Sequence, residues 1–152
     1  QADLVRKRLM NIRMRLYASP DYIAKNGTPE RIEDISDHRL ICQNPRSAQV
    51  ASGLALVQRL MTYNVSSMLT VNNYFGVLQS VIHGLGIGML PDYSTQELDS
   101  VVRVLPDVES VEVPVYLAYP EELRQSKRIA AFRDFVEAEI LATRRRQRDQ
   151  DA

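Results

Sequence analysis

The chain has 152 residues, 45% of them hydrophobic and 25% charged, the balance of a soluble globular chain able to bury about two thirds of its surface as one domain or two small lobes. Nineteen basic residues against nineteen acidic ones leave no formal net charge, so no global field draws the chain onto DNA or an anionic membrane. The lone Cys42, set in the apolar run Leu40-Ile41-Cys42, excludes an internal disulfide and fits a reducing, cytoplasmic setting; no run approaches the ~20 apolar residues of a membrane span, and no signal-peptide core opens the chain.

The chain opens Gln1-Ala2-Asp3 without methionine and runs straight into basic and apolar residues from Leu4 to Leu9, which reads as an internal fragment. Met14, Leu16 and Ala18 alternate with Arg13, Arg15 and Tyr17 and predict a strand. Ser19 and Pro20 then supply the N-cap and first residue of a short helix that runs to Asn26, with Gly27 beyond its end. Thr28-Pro29-Glu30 opens a second capped helical stretch ending near His38, and Arg39 to Gln43 reads as a short strand. Residues 44–64 are read as a loop followed by one or two strands through Leu54, Leu56 and Met61.

Val65, Ser67, Leu69 and Val71 share one face of a further strand, and Asn72-Asn73 cap a helix carrying Tyr74, Val77, Leu78 and Val81. Gly84 ends that helix. Leu85 to Leu90 form a short apolar strand that Pro91 stops, and Asp92 to Leu98 make a brief helix. Strand, helix, strand is the unit of a parallel sheet, so the fold class is α/β. Val101–Leu105 and Val113–Tyr119 read as two more strands. Ser126 caps a long helix with Ile129, Phe132, Val136 and Ile140 on one stripe, and the run from Arg144 to Asp149 is a polar tail expected to fray.

Local catalytic motifs are missing. Gly84, Gly86 and Gly88 follow a helix and enter a strand, the reverse of a dinucleotide loop, and tight helix-to-strand packing accounts for them. His38 and His83 stand in the last turns of predicted helices, where positive charge is favourable, with no second ligand at metal spacing. Cys42 has no activating neighbour, and no serine sits in a Gly-x-Ser-x-Gly elbow. The Arg144–Arg148 run lacks interleaved aromatics and is followed by Asp149 and Asp151, so it reads as a solvated helix end and not as a nucleic-acid surface. Neither metal nor cofactor is expected.

Four segments in this order carry a resemblance: Arg15 to Pro29 (RLYASPDYIAKNGTP), Leu69 to Asn73 (LTVNN), Gly84 to Pro91 (GLGIGMLP), and Val115 to Pro120 (VYLAYP) followed by Ser126-Lys127-Arg128-Ile129 and Phe132-Arg133-Asp134-Phe135. Over roughly residues 4–142 the chain resembles the C-terminal part of the effector domain of LysR-type transcriptional regulators. The resemblance implies a type 2 periplasmic-binding-protein-like fold, with one complete lobe and part of the second. Residues 1–18 would end the first lobe and make the first crossing strand, 19–111 the second lobe, 112–143 the second crossing and a return helix, and 144–152 the tail. It further implies a small-molecule inducer held between lobes, and assembly as a homodimer or homotetramer. DNA would be contacted only through a winged helix-turn-helix preceding Gln1.

Free N–H groups and the dipole at a helix N-terminus favour a small anionic or polar effector. That selects Ser19, beside the implied hinge, and Asn72 and Asn73, at the carboxyl end of a strand where open α/β sheets gather ligands. Capping alone also accounts for each, most readily for Ser19; the resemblance adds effector contacts at Asn72-Asn73. Pro91, at its strand's end, would line the cleft, although as a strand terminator it needs no ligand. The expected function is effector sensing without catalysis. The rival readings are a solute-binding protein of a transport system, which shares the fold, and an enzyme whose groups converge only on folding.

Overall fold

The structure is a computed structural model and describes residues 3–44, 54–63, 65, 67–95, 98–109 and 111–150, with the backbone alone at 54, 55 and 143–150. It divides into two compact units, Ile12–Val113 and a smaller one of Gln1–Asn11 with Pro114–Ala152.

The larger unit is built on a sheet whose strands run in the order β3 (Ser67–Val71), β2 (Arg39–Gln43), β4 (Ile87–Pro91), β1 (Leu4–Ala18) and β5 (Val102–Arg103); β6 (Val111–Pro120) also pairs β1. Strand β1 is Leu4–Ala18, much longer than the stretch from Arg13 that alternation predicts. The basic residues Arg6, Lys7 and Arg8 at its start are exposed, so the polarity that hides the strand in the sequence is a solvated face. Ser19 caps α1, Pro20–Asn26, by accepting from the Tyr22 amide at 3.1 Å, and Gly27 follows at φ 84°. This agrees with expectation at both ends.

The second capped stretch is different. It is a 3-10 helix, Ile32–Asp37, and Thr28 does not cap it. The Asp34 carboxylate instead turns back to accept from the amides of Glu30 (3.0 Å) and Arg31 (2.9 Å), and these bonds hold its carboxyl below the usual range.

Strand β2, Arg39–Gln43, lies between β3, Ser67–Val71, and β4, Ile87–Pro91, and is parallel to both. The strands expected through Leu54 and Leu56 are instead α2, Leu54–Met61; residues 45–53 of that expectation lie outside the described residues. The Leu54/Leu56 spacing suits a strand, but the Leu56/Leu60 spacing of four suits a helix, and both of these leucines are buried. Each is worth about 1.5–3 kcal/mol when removed from water, enough for tertiary burial to decide between the two.

Helix α3, Tyr74–Ile82, connects β3 to β4. Leu40 and Cys42 of β2 face a core with Leu56 and Leu60 of α2, Tyr22 of α1 and Ile35. Ile41 faces the opposite core with Val77 and Val81 of α3, Tyr17 and Leu90. The two crossovers therefore cover opposite faces of the sheet, because the chain goes outward from β2 to β3 and then returns past β2 to β4. Gly88 is where α3 rests: a Cβ there would lie 2.6 Å from Val81 Cγ2. Close packing is thus the role of this glycine, as its place after a helix predicts.

Pro91 pairs with Met14 inside β4 and does not follow the strand. Of the brief helix expected over Asp92–Leu98 the structure has a 3-10 turn, Asp92–Ser94; residues 96 and 97 lie outside the described residues. Strand β5 is only Val102–Arg103, and β6 is Val111–Pro120.

In the smaller unit the strand ends of β1 and β6 lead to a 3-10 turn, Glu121–Leu123, and to α4, Lys127–Gln150. Ser126 precedes α4 and its carbonyl accepts from Ala130 N–H at 3.0 Å. Ile129, Val136 and Ile140 are half-buried, but Phe132 is 55% exposed, so the predicted stripe is interrupted. The backbone of α4 continues helical through Arg144–Asp149, where fraying was expected. The side chains of that arginine run lie outside the described residues.

Candidate functional site

The three parallel strands β2, β3 and β4 end on one side of the sheet, and their order reverses between β2 and β4. In open α/β sheets that reversal opens a crevice beyond the carboxyl ends of the strands. Here the residues that follow the strand ends are Asn44, Asn72-Asn73 and Asp92. Asn44 N–H donates to Val71 O at 2.8 Å, which ties the ends of β2 and β3 together.

Asn72 and Asn73 are exposed at this edge. Asn73 caps α3: its Oδ1 accepts from Gly76 N–H at 2.8 Å and its carbonyl from Val77 N–H at 3.3 Å. Gly76 suits the tight entry, since a Cβ there would lie 3.3 Å from Val71 Cβ. Pro91 is buried at the same edge, and its carbonyl accepts from Ser94 Oγ at 2.9 Å. Ser94 has a single hydroxyl proton, so in the 2.6 Å bond between Tyr74 and Ser94 the tyrosine donates. Tyr74 O–H, Ser94 O–H and Pro91 C=O therefore form a directed chain linking the start of α3 to the end of β4.

A charged group lies beside this chain. Arg15 Nη1 approaches Asp92 Oδ2 at 3.3 Å, and Tyr17 O–H donates to Asp92 Oδ1 at 3.2 Å. Arg15 and Tyr17 alternate out of the face that Leu16 and Ala18 bury against α1 and α2, and so belong to the α3 side of the sheet. Arg15 Nε is buried and has no hydrogen-bond partner among the described residues. Burial pushes the Tyr74 phenol up to about 12, and burial, then the Asp92 carboxylate, raises Tyr17. Both hydroxyls are therefore neutral donors across the physiological range.

Three of the four residues chosen from the sequence, Asn72, Asn73 and Pro91, thus share one edge. Ser19 does not join them. It lies past Ala18 at the far end of β1, five residues beyond Met14, the partner of Pro91, which is ~16 Å along the strand. Ser19 is 2% exposed, its Oγ already accepts from Tyr22 N–H, and a Cβ on Gly84 would lie 3.2 Å from it. Arg15, Tyr74, Asp92 and Ser94 escaped sequence reasoning. The available signal was Arg15 standing two residues from Tyr17, on the same face of the predicted strand.

His38 also departs from the reading of a cation at a helix end. It is the residue after the 3-10 helix, but its ring is buried, and burial lowers its pKa despite the nearby Asp37 and Asp34. Cys42 is buried likewise and its thiol is pushed up to about 11, so it carries no thiolate at neutral pH. Among the described residues no group of three or more His, Cys, Asp or Glu could hold a metal ion, and no helix is long and apolar enough to cross a membrane.

A family model described as the LysR substrate binding domain matches residues 1–140. The chain belongs to the LysR substrate-binding domain family. This LysR-type domain is 28% identical over 120 residues to the uncharacterized HTH-type transcriptional regulator YhjC of Escherichia coli K12, covering 76% of the chain and 40% of that protein. The domain spans between 40% and 45% of the length of the curated relatives it matches. Among solved structures it is similar to the regulatory domain of CrgA, a LysR-type regulator of Neisseria meningitidis, with a TM-score of 0.70 and 20% identity over 90% of this chain and 69% of that one. It is also similar to the regulatory domain of CcmR of Synechocystis PCC6803, solved in complex with 2-PG, with a TM-score of 0.63 and 17% identity over 92% of this chain and 68% of that one. The fold of this LysR-type domain is therefore the type 2 periplasmic-binding-protein-like α/β fold. Its curated relatives are HTH-type transcriptional regulators and not solute-binding proteins of transport systems.

Proposed function

We propose that this domain senses a small molecule for a LysR-type transcription regulator, and that the molecule binds at the carboxyl edge of β2, β3 and β4. The observation that carries this reading is the convergence there of unused donors: the first amides of α3, the side chains of Asn72 and Asn73, and the buried Nε–H of Arg15, whose burial without an acceptor is costly unless something accepts from it. Such an edge selects a small polar or anionic molecule rich in acceptors, as CcmR's regulatory domain is seen with 2-PG. Asn72, Asn73 and Pro91 are the contacts of first choice, with Tyr74 beside them. Ser19, satisfied and buried at the other edge, is reserved for the cap of α1.

In this reading the domain does no catalysis and needs no cofactor. Residues 19–111 are the second effector lobe, 1–18 and 112–143 the crossings with the end of the first lobe and its return helix, and 144–152 the polar tail. The division of the chain near Ile12 and Val113 supports this layout. DNA is contacted through a separate winged helix-turn-helix domain, in a cytoplasmic homodimer or homotetramer, and effector binding shifts the regulator between two arrangements.

The test is a thermal-shift screen of small carboxylates and phosphates against this domain. A ligand at a hundred times its Kd stabilises by about 2.7 kcal/mol. A hit whose stabilisation is weakened by Asn73→Ala supports the site, and the same change in the complete regulator raises the half-maximal inducer concentration. A hit that binds the variant and wild type equally removes Asn73 from the site.

A further inference from the structure

At the opposite edge of the sheet, Tyr22 of α1 and His38 are both buried, at 6% and 5% exposure. The Tyr22 hydroxyl lies 3.2 Å from His38 Nδ1 and accepts from the Arg39 amide at 3.1 Å, and the two rings stand 5.8 Å apart. An amide can only donate, so one lone pair of the phenol is committed to Arg39 N–H. The hydroxyl proton then needs an acceptor, and the one the structure offers is Nδ1. That role requires a bare Nδ1 and places the ring proton on Nε2.

We propose that His38 is a proton-operated latch: neutral, it accepts the Tyr22 hydroxyl proton and fastens α1 to the start of β2, and protonation of its ring releases that fastening.

Placing a proton on Nδ1 turns the one acceptor that the described residues offer into a second donor and leaves the buried Tyr22 O–H without a partner among them, in addition to burying a cation. The groups around the ring do not cancel this cost. From the 3-10 helix, the carboxylates of Asp37 and Asp34 favour the cation, but burial outweighs them and holds the ring below its ordinary value of 6.5. From β2, the Arg39 guanidinium is turned aside, its Nε donating to Ser67 Oγ at 3.0 Å. From α1, Tyr22 is the group presented, and no charged side chain of that helix acts on the ring among the described residues. Because the folded state holds the neutral form, the stabilisation is fully present above 6.5 and is lost as pH falls through the depressed folded value. Asp34, whose carboxylate organises the turn before the 3-10 helix through Glu30 and Arg31, lies next to the same latch.

The test uses the whole 152-residue chain, which has only two histidines, so the imidazole nitrogens are readily assigned by 15N NMR with His38→Asn as reference. At pH 7.5 His38 is expected to show a protonated Nε2 and a bare Nδ1, and to gain its second proton only below pH 6.5. The melting midpoint should fall between pH 7 and pH 5 more steeply in the wild type than in His38→Asn, whose amide oxygen still accepts from Tyr22 but cannot titrate in this range. Should His38→Asn fail to fold, Tyr22→Phe serves: without the hydroxyl the ring should titrate closer to 6.5. A proton on Nδ1 at pH 7.5, equal pH dependence in the wild type and His38→Asn, or an unchanged His38 titration in Tyr22→Phe would each overturn the latch.

Discussion

The two edges of the central sheet have similar residues and opposite characters. At the amino edge of the parallel strands Ser19, Tyr22 and His38 are polar, buried and joined in one connected set, with the Arg39 amide supplying a donor to Tyr22. At the carboxyl edge Asn72 and Asn73 are exposed, and Arg15 Nε is buried without a partner. Both edges offer a helix whose N-terminus is capped by a side chain, and capping alone cannot tell them apart. The difference is whether the polar groups have already found one another. A saturated set stabilises the fold, and an unsaturated one is free to recognise a molecule.

The contrast can be broken most severely at the amino edge. A Cβ on Gly86 would run into the Arg39 carbonyl, which is backbone of the neighbouring strand β2 and cannot swing aside. Gly86→Ala is expected to cost about 3 kcal/mol, at the upper end for overpacking, seen as a lower urea midpoint with an unchanged slope. An undiminished midpoint would mean that the two strands separate more easily than this contact allows.

Next in size is a matched pair of caps. Ser19→Ala removes a buried acceptor from Tyr22 N–H and should cost about 1–2 kcal/mol, and Asn73→Ala, exposed and able to hand Gly76 N–H to water, about 0.5–1 kcal/mol. Their effects on ligand-induced stabilisation should run the other way, with Asn73→Ala weakening it and Ser19→Ala leaving it intact. If Ser19→Ala abolished the ligand response while α1 remained folded, the division between the edges would collapse.

Much of this arrangement was legible in the residues, because local chemistry decides it. Ser19-Pro20 and Gly27 bracket α1, and Asn72-Asn73 and Gly84 bracket α3, as their capping chemistry requires. Other features depend on partners remote in sequence. Helix α2 is decided by the burial of Leu56 and Leu60 against β2, which spacing cannot announce. The length of β1 is hidden by its exposed arginines and lysine, and Pro91 joins β4 because its missing N–H is tolerated opposite Met14. The same limit applies to the site. Asn72 and Asn73 announce themselves as neighbours, whereas Arg15 meets Asp92 and Tyr74 meets Ser94 only after the chain has turned back twice.

The smallest effect tests the directed chain at the carboxyl edge. Since Ser94 O–H donates to Pro91 C=O, Tyr74→Phe removes a donor and leaves Ser94 with its own bond intact, having lost only an incoming one. Ser94→Ala takes away two bonds and strands both the half-buried Tyr74 hydroxyl and the Pro91 carbonyl. Ser94→Ala should therefore cost about 1–2 kcal/mol and Tyr74→Phe only about 0.5 kcal/mol, because an unmade partner costs more than a deleted one. The double variant should cost less than the sum, since Phe at 74 removes the hydroxyl that Ala at 94 would leave unpaired. Additive losses in chemical denaturation would show that Tyr74 and Ser94 act independently, and α3 would then be held to the end of β4 by apolar packing alone.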